Sequence, residues 1–484
     1  MMDTRGFPIS LLAALLLVGC TQLPAYEKPQ PPIASTFPRS APAGSAGVTV
    51  ANIGWQTFFG DERLRALIST ALANNRDLML AIHRVEEVRA LYGIQHASRL
   101  PNISGSAFGS RFRIPAGVLP IQRDGAANQI LLNQFQVGLT SSAWELDFWG
   151  RLRSLEIAAL ETYLATDEAH HAVQSTVIAQ VSSSYLIERE LDERINLAER
   201  TIRTRHQSAR IAQRRFEVGS AARVDAVQTE ILLSQARAEL AVLQRLREQN
   251  RNALEFLAGS SLPAEHRSLS SIEAMFVHSI DAGLPSDLLV QRPDLRAAER
   301  RLKAANANIG AARAAFFPRI ALTGSLGVAS RELDGLFAGN SRSWSFMPSI
   351  TLPLFDGGRN RAGLDLARAQ YNSAITEYER SVQNAFREVA DVLAERHWLA
   401  EQIKAQRTSL EAQRERSRIA ALRYQQGATT YLEVLDAERE LFAVEQALVQ
   451  TRRAYLASGI KLYAVLGGGG GTIGEEDGQR RLNP

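Results

Sequence analysis

A single cysteine, Cys20, serves a chain of 484 residues, so neither an intrachain disulfide nor a cysteine metal cluster can form. Long apolar runs are missing too. No stretch of the mature chain reaches the roughly 18 residues that mark a transmembrane helix. Charge of one sign is scarce: 55 basic and 51 acidic side chains leave a net +4. That balance excludes a broad basic face, so nucleic acid is not an expected partner. The eight histidines show no ligand spacing, and in the adjacent pair His170-His171 the two rings are not expected to share a helical face. No metal site is expected. Gly467 to Gly471 lacks the Lys-Ser/Thr of a phosphate-binding loop, and no serine sits in a nucleophile elbow. The carboxylates lie mostly in Arg-rich helical runs and read as a salt-bridged solvated face. The expectation is a non-enzyme without cofactor, powered by some partner.

Cys20 stands at the end of the apolar run Ile9 to Val18, which is too short to span a bilayer but has the length of a secretory signal core. Leu17-Val18-Gly19-Cys20 resembles a bacterial lipobox. The reading is a signal peptide over 1–19 and lipidation of Cys20 as the first mature residue. Thr21 after it is compatible with sorting to the outer membrane. Residues 20–50 are rich in proline and read as an extended tether. At the other end, 467–484 reads as a flexible tail.

The middle of the chain repeats itself. Asn75-Arg76-Asp77-Leu78 matches Arg292-Pro293-Asp294-Leu295, and Pro101 matches Pro318, both at an offset of 217 residues. Arg215 to Gly219 matches Arg423 to Gly427, and Asp225 matches Glu433, at an offset of 208. Several independent anchors agreeing make two copies of one long unit. The copies are placed at 51–258 and 291–466, with a connector at 259–290. The fall of nine in offset lies between Pro101/Pro318 and Gly150/Gly358, which suggests a longer hairpin loop in the first copy.

Each copy begins with a helical stretch of about 25 residues that ends at a proline. Two strand-like runs follow. In the second copy Phe346, Ile350, Leu352 and Leu354 alternate with Ser345, Ser349 and Thr351. In the first copy Val137 and Leu139 start one phase while Trp144 and Leu146 sit on the other, so a bulge near Ser142 is expected. Then come Leu152 to Val218 and Leu364 to Gln426, neither with Gly or Pro. At 1.5 Å per residue each would reach on the order of 100 Å. A turn at Gly219 or Gly427 sends a second helix back, with Val434, Ala437, Leu441, Val444 and Leu448 at coiled-coil spacing. Four strands per chain cannot close a barrel in lipid, where open edges are not tolerated. More than one chain must share the barrel.

Gly283-Leu284-Pro285-Ser286-Asp287-Leu288-Leu289, Arg292-Pro293-Asp294-Leu295 and Phe316-Phe317-Pro318 closely resemble the NodT-type outer-membrane lipoproteins of resistance-nodulation-division (RND) efflux systems, within the TolC-like family. Leu352-Pro353-Leu354-Phe355-Asp356-Gly357-Gly358 is similar to it as well. The resemblance spans about Trp55 to Leu466. It implies a mixed α and β fold, in which a long helical barrel continues a transmembrane β-barrel with four strands per protomer. It implies a homotrimer in the outer membrane reaching into the periplasm, docked to a periplasmic adaptor (membrane fusion protein) and an inner-membrane RND pump. The function implied is a passive exit channel for small toxic compounds or drugs. By the same resemblance the helix turns form a periplasmic aperture. Glu433 and Asp436 would face the pore as acidic rings, and Asp225 would pair with Arg423 or Tyr424 across neighbouring helices as a latch. Gln228 stands where Asp436 stands in the second copy. The competing readings are the exit duct of a type I secretion system and a non-conducting coiled-coil scaffold lipoprotein. The strand runs speak against the scaffold.

Overall fold

Two strand pairs, one from each copy, join into a single antiparallel sheet in the order Ile103–Pro115, Gln129–Leu146, Arg319–Ser330, Arg342–Thr351. The structure is a computed structural model that describes residues 21–30, 33–34, 36–37, 48–49, 53–115, 129–262, 280–281 and 285–469. Cys20, the signal segment and the tail beyond 469 lie outside the described residues. In chain order the elements are β1 (Val48–Thr49), α1 (Trp55–Phe58), α2 (Glu62–Asn74), α3 (Arg76–Ala97), β2 (Ile103–Pro115), β3 (Gln129–Leu146), α4 (Arg151–Glu217) and α5 (Arg223–Ala258). Then follow β4 (Ile280–Asp281), α6 (Pro285–Gln291), α7 (Pro293–Ala314), β5 (Arg319–Ser330), β6 (Arg342–Thr351), α8 (Arg359–Gln425) and α9 (Tyr431–Val465). The order helix, strand, strand, long helix, return helix occurs twice, and α4 and α8 each have 67 residues. Among the described residues no helix is long and apolar enough to cross a membrane.

The chain divides into two compact units. The first comprises the described parts of Met1–Pro29, Glu86–Thr166 and Ala298–Tyr378, the second those of Gln30–Val85, Asp167–Ala297 and Glu379–Pro484. The first unit holds the sheet. Its register shifts between Ser141 and Trp144, where Ala143 takes a positive φ of 51°, so the phase change in the sequence is a bulge. β2 and β3 have 13 and 18 residues against 12 and 10 for β5 and β6. The strands of the first copy are the longer ones, and its hairpin tip at 116–128, where the longer loop is expected, lies outside the described residues. Pitch per residue is fixed in a strand, so added residues can lengthen a pair without disturbing its register.

Among the described residues both outer strands are free edges. Pro348 lies on the edge strand β6, where a missing N–H is tolerated, and Pro353 lies beyond the strand's end. Trp344, Phe346 and Ile350 of β6 and Phe108 and Phe112 of β2 are exposed. At the centre of the sheet Gly138 of β3 faces Gly327 of β5. A Cβ on Gly327 would lie 2.3 Å from the Val137 carbonyl oxygen and 2.6 Å from Gly138 Cα. The seam between the two copies closes only because neither residue carries a side chain.

At both strand-to-helix junctions an aspartate caps the long helix. Asp147 accepts from the N–H groups of Leu152 and Arg153, and Asp356 from those of Gly358 and Asn360. The first described residues are held here as well. Thr21 lies against Gly150, Leu23 packs on Ala158, Ala304 and Ala307, and Asn306 donates to the Pro24 carbonyl. Lys28 bridges to Glu299 at 2.7 Å. Residues 21–30 have no helix or strand, yet they are tied along α7.

The second unit carries its core around Tyr463, which stacks on Phe58 at 4.3 Å and donates to the Ile53 carbonyl. Asp61 caps α2 and accepts from Tyr185 of α4. Arg292 explains its motif. Its guanidinium binds Asp294, Glu388 and the Val465 carbonyl, joining the start of α7 to α8 and the end of α9. Gly467 ends α9 with φ 89° and Gly468 donates to the Tyr463 carbonyl, so the first glycines of the expected tail are a helix cap.

The glycine seam sets a clear expectation. Gly327→Val should prevent β3 from pairing with β5 and abolish the heat-modifiable folded band on a gel. Gly324→Val, whose Cβ would meet only the Ser345 carbonyl oxygen at 3.5 Å, should be tolerated. Equal behaviour of the two variants would contradict the seam.

Candidate functional site: the two helix turns

The turns at Gly219 and Gly427 are built alike, and both lie in the second unit. Their φ values are 75° and 74°, in the left-handed region that glycine enters without steric cost. Ser220 donates to the Arg215 carbonyl and Gly219 to that of Phe216. Ala428 and Gly427 repeat this with Arg423 and Tyr424. Each is the six-residue cap that satisfies the last carbonyls of a helix and reverses the chain.

Around the second turn Tyr424 and Tyr431 pack at 4.8 Å on Ala420, Val434 and Ala437. Arg215 of α4 lies over the Tyr424 ring and donates to its hydroxyl. Tyr431 bonds to Ser208, also on α4, and burial raises its pKa. The two tyrosines thus bind the second-copy turn to the first-copy helix.

The acids expected to line a pore are half-exposed, and each already holds a cation. Glu433 pairs with Arg423 at 3.0 Å and accepts from the Thr429 hydroxyl. Asp436 pairs with Arg416 and with Arg439, each at 2.6 Å. Within one chain, Arg423 and Tyr424 are therefore engaged by Glu433 and Arg215. Asp225, in the first turn of α5 and half-buried, has no side-chain partner among the described residues. The structure brings Arg423, Tyr424, Glu433 and Asp436 to one turn and leaves Asp225 unpaired on the other.

Several contributors escaped the sequence reading. Arg215, Arg416 and Arg439 looked like ordinary members of Arg-rich helices, and only the fold brings them against specific partners. Arg205 and Glu438 lie near enough to feel each other's charge, without an ion pair between them. Arg205 is 4% exposed, donates to the Leu232 carbonyl and lies over Phe442. Burial pushes the Glu438 carboxyl above the usual carboxylate range, with Arg205 opposing the shift. The adjacent rings of His170 and His171 also prove to be neighbours, with centroids 5.1 Å apart.

The geometry of two copied strand pairs, two 67-residue helices and two capped turns has known counterparts. The family described as outer membrane efflux protein matches residues 67–260 and 284–468. This chain belongs to that family. The solvent efflux pump outer membrane protein SrpC of Pseudomonas putida is 42% identical over 465 residues, covering 95% of this chain and 98% of the relative. Outer membrane protein OprJ of Pseudomonas aeruginosa is 41% identical over 470 residues, covering 97% of each. Among solved structures, a membrane protein from Pseudomonas aeruginosa superposes with a TM-score of 0.88 at 40% identity, over 93% of this chain and 100% of that one. The open state of the Neisseria gonorrhoeae MtrE outer membrane channel gives 0.84 at 38%, over 93% and 98%. The fold is that of the TolC-like outer-membrane channels, and the outer membrane is the location, as the sequence motifs implied.

One outer-membrane efflux protein property is open to titration. Glu438 is protonated more readily folded than unfolded. The stability it allows is present at low pH and is lost as pH rises from the ordinary 4.5 through its raised folded value. Glu438→Gln imitates the neutral acid. It should raise the melting temperature at about pH 8 and change it little at about pH 4. An equal shift at both would refute the burial argument.

Proposed function

We propose that this outer-membrane efflux protein is the passive exit duct of a tripartite RND-type pump, assembled as a homotrimer around a shared β-barrel. The observation that carries the assembly is the pair of free edges, β2 and β6, on a sheet with exposed aromatic and aliphatic side chains. In lipid every N–H and C=O of those edges needs a partner, and a second chain supplies it. The number three rests on family resemblance. A periplasmic adaptor and an inner-membrane pump would supply the energy. The cargo would be small toxic compounds or drugs, in keeping with relatives named for solvent and toluene efflux.

Cys20 is the proposed lipid attachment site. Thr21 is seated against Gly150, one residue before α4 begins and four after β3 ends. An acyl chain on the preceding residue would enter lipid where the strands do. It adds affinity at about 0.8 kcal/mol per buried CH₂. Mass spectrometry of the mature N-terminal peptide checks this. An unmodified start elsewhere contradicts it.

The turns are the proposed periplasmic aperture, with Gly219 and Gly427 shaping it. Asp225 has no side-chain partner among the described residues of its own chain, which leaves it for Arg423 or Tyr424 of an adjacent chain. Exposed polar pairs of about 0–1 kcal/mol each would hold a closed state that a docking partner can open. The acidic rings of Glu433 and Asp436 are compensated by Arg423, Arg416 and Arg439. In planar bilayers Asp225→Ala with Tyr424→Phe should raise single-channel conductance without the pump. Replacing Glu433 and Asp436 by Ala exposes three arginines per chain and should shift selectivity towards anions. Wild-type conductance in the first variant and unchanged selectivity in the second would remove the aperture assignment.

A further inference from the structure

One turn of α4 in the second unit carries Asp167, His170 and His171, away from the sheet and from both helix turns. The donor atoms of all three lie within 4.8 Å of one another. Spacing explains the gathering. Positions i, i+3 and i+4 stand on one side of a helix, and a carboxylate three residues before a histidine is a recurring metal-binding pair on bundle helices. The side chains at 170 and 171 leave the helix about 100° apart, but imidazoles are long enough for both to lean toward Asp167.

Two further observations point to a ligand. None of the three side chains makes a hydrogen bond or an ion pair with another described residue. The next residue on the same helix has a cation: Glu168 pairs with Arg296 at 2.8 Å. Asp167 has no such cation. One ring nitrogen of His171 is shut off from solvent with no hydrogen-bond partner. A buried imidazole nitrogen normally donates or accepts, so this one lacks something.

We propose that Asp167, His170 and His171 bind a first-row divalent transition ion, with zinc as the type case. Two imidazoles and one carboxylate are the donors that such ions favour, whereas calcium and magnesium ask for oxygen alone. Bonds of about 2.0–2.2 Å to N and O require donors no more than about 4.2–4.4 Å apart. Small χ rotations from the present arrangement reach that. Three protein donors leave at least one position for water or another group. The site would clamp one turn of the 67-residue helix.

The test uses the full-length protein purified in detergent, stripped with chelator and reloaded with Zn²⁺ or Co²⁺. Wild type should retain about one equivalent of zinc per chain after dialysis, and Co²⁺ should give visible bands of a low-symmetry nitrogen and oxygen site. His170→Gln with His171→Gln should lose that equivalent and the bands. Asp167→Asn, the milder change, should weaken retention. His206→Gln, on the same helix and exposed, should retain both. Circular dichroism and gel filtration confirm that each variant is folded. Equal zinc retention in wild type and the double variant, or none in wild type, would overturn the proposal.

Discussion

A strand edge in hydrocarbon cannot leave its backbone groups unpaired, and this chain brings two such edges. Much of the structure follows from satisfying that demand. Each copy supplies a strand pair, too few to close a sheet, and the seam at Gly138 and Gly327 joins the pairs into four strands. The seam removes two edges inside the chain and leaves β2 and β6 at the borders of the sheet. The exposed Trp344, Phe346 and Ile350 would be a liability in water and are ordinary in lipid.

The same junctions turn sheet into helix. Asp147 and Asp356 take up the free N–H groups of α4 and α8, so two strands can pass directly into two very long helices. Length then makes local packing matter. A 67-residue helix has little core of its own, and cross-links such as Arg194 with Glu239 and Gln446, or Arg453 with Glu190, hold its neighbours in place. At the turns these links become smaller and more exposed. That gradient from a packed core around Tyr463 to solvent-accessible arginine pairs suits an end that opens.

Much of this was legible in the sequence because its causes are local. Proline ended the first helices, the phase change near Ser142 announced the bulge, and Gly219 and Gly427 marked the reversals. What was not legible depends on separated residues meeting. Nothing in the sequence distinguishes Arg215, Arg416 or Arg439 from the other arginines of their helices, and only folding gives them Tyr424 and Asp436. The proline-rich start read as a tether, because its contacts with Ala304, Asn306 and Glu299 lie nearly 300 residues away. His170 and His171 were separated by a rule about helix faces that neglects the reach of their side chains.

The central claim is that β2 of one chain pairs with β6 of the next. Disulfide cross-linking tests it directly, because Cys20 is the only native cysteine. Pairs such as Ser106→Cys on β2 with Ser345→Cys on β6 would be scanned along both strands in membranes containing the folded protein. Oxidation should produce a ladder of cross-linked chains that ends at three, for pairs in one register and not for those displaced along the strand. Folded chains that remain monomeric at every pair, with the sheet intact in lipid, would contradict the account.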